Sequence, residues 1–470
     1  MSPQEQLDAL YASQRKNQPS VSASTVQERR VKLHRLEKLI LASRARIAAA
    51  IAADYAKSPM EVDLSEIYPA LTEARHARKH LAKWMKPKRV APTLTLLGTR
   101  SEIVPEPKGV VLIISPWNFP FNLTIGPLVS AVAAGNCVII KPSELTPNTS
   151  RCMRELLATI FPEEEVAVLE GGVETSTALL KKRFDHIFFT GSPGVGKIVM
   201  KAAAEYLCSV TLELGGKSPV IVGRTADLED AAQKIAWGKF LNNGQVCIAP
   251  DYLLLDSAVR EPFLEKLRLA VDNLFGTEAG RVGNSDYGRI VNDHHFKRVD
   301  QLIESAIEGG AAPLLARTSD ATQRFISPTI LTGVAADAAV LRDEIFGPVL
   351  PIVDFTMIDE ALEAIRDREK PLVLYLFSRD EREIAKVMSE TSAGGTCIND
   401  TLIHFFHPNL PFGGAGFSGL GRSHGYYGFE AFSNMRAVLR QRTGFTLAKL
   451  LYPPYTAFRR KLIDLTVRYF

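Results

Sequence analysis

The spacing of apolar positions changes along this chain, and each change marks a different kind of element. Between residues 25 and 55, Leu36, Ile40, Ile47, Ile51 and Tyr55 keep helical spacing with Arg and Lys between them, which predicts one long amphipathic helix. A second helical stretch runs from Tyr68 to Met85. From Val110 onward, short apolar runs alternate with amphipathic segments. The strand-like runs are Val110 to Ser115, Cys137 to Lys141, Val166 to Glu170, Asp185 to Thr190 and Val210 to Leu214. The helical segments between them are Leu123 to Ala134, Thr149 to Ile160, Ser176 to Lys182 and Val195 to Tyr206. Apolar strands alternating with such helices predict a parallel sheet covered on both faces, which binds ligands beyond the carboxyl ends of its strands.

A second run of the same kind follows Lys217. Its strands are Pro219 to Val222, Tyr252 to Leu255, Val349 to Val353, Val373 to Phe377 and Gly395 to Ile398. Leu228 to Leu241, Glu261 to Leu274, His294 to Glu308 and Ile358 to Asp367 read as helices, and Glu278 to Asp293 as irregular. The fold class is therefore α/β. Two features lie outside the alternation. Thr93 to Leu97 and Ser101 to Val104 flank Gly98-Thr99 as a hairpin, after a basic stretch, Lys86-Pro87-Lys88-Arg89, expected to be a solvated loop. At the chain's end, Phe458, Leu462, Leu465 and Val467 alternate with Arg459, Arg460, Lys461 and Arg468, which suggests a helix packed on the body or capping the substrate entrance rather than bound to a membrane.

Composition narrows the function classes. At 470 residues the chain exceeds one core, so two or more domains are expected. A formal charge of +4 gives no reason to expect nucleic acid. Cys137, Cys152, Cys208, Cys247 and Cys397 form no metal-ligand spacing, which fits a reduced, cytoplasmic setting. Met1 to Ser20 has no apolar core to make it a signal peptide, and no apolar run approaches a membrane span.

Several stretches carry chemistry. The strand ending at Thr190 runs into Gly191-Ser192-Pro193-Gly194-Val195-Gly196-Lys197. Glycines at a strand-to-helix turn let backbone amides approach phosphate. The stretch resembles a nucleotide-triphosphate loop through Lys197, but Ile198 stands where a metal-binding hydroxyl is required. A dinucleotide site or a plain tight turn remains. Lys141-Pro142-Ser143-Glu144 follows a strand, where a carboxylate can accept both hydroxyls of a ribose; Glu144 suits a free 2′-hydroxyl, hence NAD before NADP. In Ser115-Pro116-Trp117-Asn118-Phe119-Pro120, Asn118 offers an amide donor for an oxyanion, an interaction typically worth roughly 3 kcal/mol. Cys247, in Gly244-Gln245-Val246-Cys247, is a candidate thiol nucleophile, with neither a helix N-terminus nor a positive charge reliably placed to activate it. Glu213, in Glu213-Leu214-Gly215-Gly216-Lys217, is the matching water-activating base. Glu344-Ile345-Phe346-Gly347-Pro348 pairs an acid with an aromatic ring suited to a second ribose and a flat heterocycle.

These blocks, together with Pro411-Phe412-Gly413-Gly414 and in this order, resemble the aldehyde dehydrogenase superfamily over nearly the whole chain. Cys247 to Tyr252 is similar to the class 3 branch; Trp84-Met85, Met435 to Arg440 and Tyr452-Pro453-Pro454-Tyr455 resemble its coniferyl aldehyde dehydrogenases. The resemblance implies two doubly wound α/β domains, one for NAD (NADP possible) formed by 1–90 and 106–212, one bearing the thiol at 213–420. A small β element from 91–105 and 421–445 would bridge a homodimer, with 446–470 as a tail. It implies Cys247 as nucleophile, Glu213 as base, and Asn118 with the Cys247 amide as oxyanion hole. Lys141 and Glu144 would hold the adenosine ribose, Glu344 the nicotinamide ribose, and Phe346 would abut the nicotinamide, with further cofactor contacts at Trp117, Ser143, Gly191, Ser192, Gly196, Leu214 and Gly215. Pro193 and Gly194 depart from common family versions of the turn. The implied activity is oxidation of coniferyl-type or medium-chain aldehydes to acids through a thiohemiacetal and thioester. Tyr252, Phe405 and Phe406 are expected to line an apolar substrate tunnel. Two rivals remain: transfer of the acyl group to coenzyme A or phosphate, and a non-catalytic nucleotide-binding protein on the same fold.

Overall fold

Two parallel-rich sheets organise the chain. The structure, a computed structural model, describes residues 2–93, 96–444 and 446–469. The first sheet has the order Gly419–Leu420, Ser209–Leu214, His186–Gly191, Val110–Ile114, Cys137–Lys141, Val166–Val168, parallel except for the antiparallel edge pair Gly419–Leu420. Strand order reverses between Val110–Ile114 and His186–Gly191, so the loops leaving these two strands flank a crevice where such sheets take ligands. The second sheet runs Ala312–Pro313, Thr329–Thr332, Val349–Phe355, Tyr252–Asp256, Pro219–Val222, Val373–Phe377, Gly395–Ile398.

Alternation explains why both sheets are buried on both faces. Val111, Ile113, Val138 and Ile140 point into one apolar cluster, while Val110, Leu112, Ile114, Cys137 and Ile139 point into another on the opposite face. The second sheet repeats this, with Val220, Val222, Leu253 and Leu255 on one side and Ile221, Leu254, Leu374 and Leu376 on the other.

The expected long helix between residues 25 and 55 is two helices, Val26–Ala42 and Arg44–Tyr55. Ser43 leaves helical geometry at φ −106° and ψ 8°, and the chain bends there. A further helix, Pro3–Ser22, is closed by a capping box between Ser2 and Glu5. It is pinned to the first sheet by Gln14, whose amide donates to the carbonyls of Val138 at 3.0 Å and Glu163 at 2.9 Å. The basic stretch is not a loop throughout: Lys88–Val90 is an exposed strand paired antiparallel with Arg100–Pro107. This replaces the expected hairpin arm at Thr93 to Leu97, of which Leu94 and Thr95 lie outside the described residues. Ser433–Arg440 completes a three-stranded antiparallel sheet against Arg100–Pro107. Charged and basic side chains blunt the edge strand Lys88–Val90.

The tail does form a helix, Ala457–Tyr469, in which none of the described residues is buried and Leu462, Ile463 and Thr466 are half-buried. Among the described residues, no helix is long and apolar enough to cross a membrane.

Candidate active site

Asn118 sits in the loop leaving the strand Val110–Ile114 and is 3% exposed. Its backbone carbonyl accepts from Tyr55 Oη at 2.8 Å, Asn242 Nδ2 at 2.9 Å and Lys57 Nζ at 3.3 Å. Its side-chain Nδ2 donates to the carbonyl of Gln245 at 3.0 Å. The loop is held from below by Glu66, whose Oε2 accepts from the amides of Phe121 at 3.1 Å and Asn122 at 2.9 Å while Oε1 pairs with Lys57 at 3.0 Å. Glu66 reaches inward from a π-helical turn, Asp63–Ile67, inserted before the helix Tyr68–Trp84. Neither Lys57 nor Glu66 was singled out from sequence, where each reads as an ordinary surface charge.

The nucleophile loop is built by three consecutive left-handed residues, Asn242 (φ 50°), Asn243 (φ 56°) and Gly244 (φ 72°). Asn tolerates this region, and Gly244 is required on two counts, because a Cβ there would stand 2.2 Å from the Gly347 carbonyl oxygen. That approach joins the Gly244-to-Cys247 block to the Glu344-to-Pro348 block. The Gln245 side chain fastens the loop, donating to Asn242 O and Arg289 O at 3.1 Å each and accepting from the amide of Val291 at 3.0 Å. Cys247 follows, half-buried and free of disulfide. Burial, then the charges of Glu344 and Glu213, push its thiol up to about 12. Hydrogen bonds from the backbone amides of Cys247 and Ile248 act in the opposite direction and offset this only in part.

Glu213 ends the strand Ser209–Leu214 at 6% exposure. Ser423 Oγ donates to its Oε1 at 2.9 Å, while Oε2 has no partner among the described residues. Burial pushes its carboxyl up to about 8. Ser423 is brought there by paired backbone hydrogen bonds with Phe412, which explains what the Pro411-to-Gly414 block does. Cys247, Glu213 and Ser423 line one cavity together with Phe405 and Phe406. A second cavity, also lined by Cys247, Phe405 and Phe406, adjoins Phe119 and Val246. Tyr252 is not part of either: it is buried in the second sheet between Lys217 and Arg368, 5.8 and 5.1 Å from its ring centre.

Glu344 lies over the Glu213-to-Lys217 turn. A Cβ on Gly215 would fall 2.0 Å from Glu344 Oε2, the carboxyl accepts from the Gly216 amide, and Oε1 has no partner among the described residues. Phe346 adopts φ 47° and sets its ring edge-on to Trp117 at 5.2 Å, with His295 5.3 Å from Trp117 on another side. The phosphate-type turn is equally close-packed. Gly196 admits Leu214, whose Cδ2 would stand 2.7 Å from a Cβ; Gly191 leaves room for Phe189, and around Gly194 there is open space. Ser192 caps the helix Pro193–Ala204 by accepting from the Val195 amide. Lys197 lies over the Phe417 ring at 4.9 Å, and Ile198 is exposed. Two strands further along, Lys141 Nζ pairs with Glu144 at 2.5 Å, and that lysine holds Glu144 below the usual carboxylate range against partial burial. Ser143 Oγ is committed to a local turn, accepting from the Leu145 amide at 3.2 Å.

The description "Aldehyde dehydrogenase family" belongs to a family model that matches residues 1–438. Among curated proteins, the chain is 44% identical over 440 residues to the dimeric NADP-preferring aldehyde dehydrogenase of Rattus norvegicus, covering 92% of this chain and 94% of the rat protein. It is 42% identical over 459 residues to a probable coniferyl aldehyde dehydrogenase of Pseudomonas aeruginosa, covering 97% and 95%. Among solved structures, the substrate-bound state of Staphylococcus aureus AldH superposes with a TM-score of 0.93 at 41% identity, covering 98% of this chain and 99% of that one.

Proposed function

The chain belongs to the aldehyde dehydrogenase family and is an NAD(P)-dependent oxidoreductase acting on aldehydes, and we propose that it converts aromatic, coniferyl-type or medium-chain aldehydes to carboxylic acids on Cys247. The observation that carries this reading is that one cavity is lined by both a half-buried thiol and a carboxyl, Glu213, whose Oε2 is without a partner among the described residues.

In this reading the Cys247 sulfur, once deprotonated, attacks the aldehyde carbon. The oxygen of the resulting thiohemiacetal faces the Asn118 amide and the Cys247 backbone amide. The bound nicotinamide supplies the acceptor for the hydride that leaves, and a thioester remains on Cys247. Glu213 then takes a proton from water through Oε2, held in orientation by Ser423 on Oε1, and the hydroxide releases the acid.

The residues present fit the cofactor. Glu344 keeps a buried oxygen unpartnered, as a ribose hydroxyl requires. Gly215 and Gly196 are places where a side chain would collide with Glu344 and Leu214. Trp117 and Phe346 supply flat faces beside them, and the Gly191-to-Gly196 turn, with open space around Gly194 and with Ser192, suits phosphate. Lys141, Ser143 and Glu144 would hold the adenosine ribose, with ionised Glu144 favouring NAD over the 2′-phosphate of NADP. Residues 1–90 with 106–212 form the cofactor unit, and 213–420 the thiol unit. The sheet of Arg100–Pro107 and Ser433–Arg440 joins two copies into a cytoplasmic homodimer. Product analysis with and without coenzyme A is the test: free acid at an unchanged rate is expected, and acyl-coenzyme A as the main product would overturn the reading.

A further inference from the structure

The cavity that holds Cys247 and Glu213 is not uniformly apolar, and its polar groups are unequally occupied. Glu73, on the helix Tyr68–Trp84, lines it. Both of its carboxylate oxygens accept from the Gly425 amide, at 3.3 and 3.1 Å, and His424 Nδ1 stands 3.8 Å from its Oε1, beyond hydrogen-bond distance. A carboxylate has room for several donors, so this one is under-used. On the helix Asn122–Ala134, residues Asn122, Gly126 and Ser130 recur every fourth position and line the same cavity. Nothing lies within 4 Å of where a Gly126 Cβ would stand, so that glycine keeps space open rather than admitting a neighbour. Ser130 is 6% exposed, and its Oγ stands 2.3 Å from where a Gly428 Cβ would lie.

These positions also set a length. Asn122 lines both cavities that contain Cys247. Ser130 is eight residues further along the helix, about 12 Å at 1.5 Å per residue. An aromatic ring on a three-carbon chain, plus one hydrogen bond, covers such a span. Tyr68, Leu123, Pro127, Phe405 and Phe406 supply apolar walls for the ring between. A buried acid with one donor is poorly suited to a site that takes hydrocarbons alone.

We propose that this cavity selects aldehydes carrying a hydroxyl at the end remote from the carbonyl, with Glu73 accepting the hydrogen bond of that hydroxyl and Ser130 beside it. The inference rests on the proposed oxidation at Cys247 and specifies its substrate class. It also separates the hydroxylated aromatic aldehydes from plain cinnamyl or alkyl ones.

The test compares kcat/KM for 4-hydroxycinnamaldehyde and cinnamaldehyde in the full-length protein with NAD. The wild type is expected to favour the hydroxylated substrate by about tenfold. Glu73→Leu should bring the ratio close to one, and Glu73→Gln, which keeps an accepting oxygen, should retain most of it. Ser130→Ala should lower the ratio as well, and supplies the same test if Glu73→Leu does not fold. Equal losses on both substrates, leaving the ratio unchanged, would show Glu73 to be only a prop for Gly425 and would overturn the inference. A wild type that oxidises both aldehydes without preference overturns it while leaving the Cys247 chemistry standing. Oxidation of neither would instead remove the proposed function, and this inference with it.

Discussion

The side-chain amide of Asn118 donates to the carbonyl of Gln245 across 3.0 Å, tying the loop after the first sheet strand to the loop that carries Cys247. Two stretches more than a hundred residues apart are thereby set at a fixed separation. The second amide hydrogen of Asn118 stays available for an oxygen bound at Cys247. Asn118→Ala is therefore expected to lower kcat by about 100-fold with little change in the KM for aldehyde. Steady-state kinetics check this. The loop should persist in the variant, since the Asn118 backbone carbonyl keeps its three donors and Asn242 Nδ2 still bridges it to the Gln245 carbonyl.

That carbonyl is held by the ion pair of Lys57 and Glu66, both side chains fully buried. Removing one partner leaves an uncompensated charge. Lys57→Met should cost about 3–5 kcal/mol in chemical denaturation, and the double variant Lys57→Met with Glu66→Gln should recover much of it. Destabilisation equal in the single and double variants would mean the pair is not coupled.

Glu213 gives the activity a pH dependence of known sign. Its carboxyl is pushed up to about 8 by burial, so the base form is lost as pH falls through that value. Where hydrolysis limits turnover, kcat should drop about tenfold per pH unit below it and level off above. The same shift acts on stability. The folded state binds this proton more tightly than the unfolded chain, whose value is 4.5, so the stabilising contribution is complete below 4.5 and is lost as pH rises to about 8. Glu213→Gln should raise the melting temperature at pH 8 by on the order of 2 °C, with the difference vanishing near 4.5. Thermal unfolding at the two pH values measures it.

Gly215 and Glu344 cannot both keep their places if a side chain is added between them, because the new Cβ would lie 2.0 Å from Glu344 Oε2. Gly215→Ala must displace the carboxyl assigned to the cofactor's ribose. The dissociation constant for NAD should rise by at least about tenfold. Fluorescence titration of the folded variant reads this, and an unchanged constant would remove Glu344 from the cofactor site.

Much of this architecture was legible in the sequence because fully buried parallel strands are short, unbroken apolar runs. Cys137–Lys141, Pro219–Val222 and Val373–Phe377, buried at every position, have the bounds their composition indicated. The candidate site residues were legible as motifs where glycines or an isolated Cys or Asn stand out. The structure brings Glu213, Cys247, Asn118 and Glu344 within one region, by contacts such as Gly244 against Gly347 that no local pattern displays. What escaped the sequence has the opposite character. Ser423 meets Glu213 from 210 positions away and carries no periodicity. Glu66 lies in a π-helical turn ahead of the helix indicated from Tyr68, and is buried there without any apolar pattern to mark it. Lys88–Val90 reads as a charged loop, since an exposed edge strand needs no apolar side. Tyr252 was expected in the tunnel on its aromatic character alone, whereas its strand places it at the sheet's centre.

The sharpest test of the account is mass analysis of Glu213→Gln, quenched soon after mixing with cinnamaldehyde and NAD and then digested. The peptide bearing Cys247 should carry the cinnamoyl group, because the thioester forms and water is not activated to remove it. An unmodified Cys247 peptide from a variant that still releases acid at the wild-type rate would contradict both assigned roles.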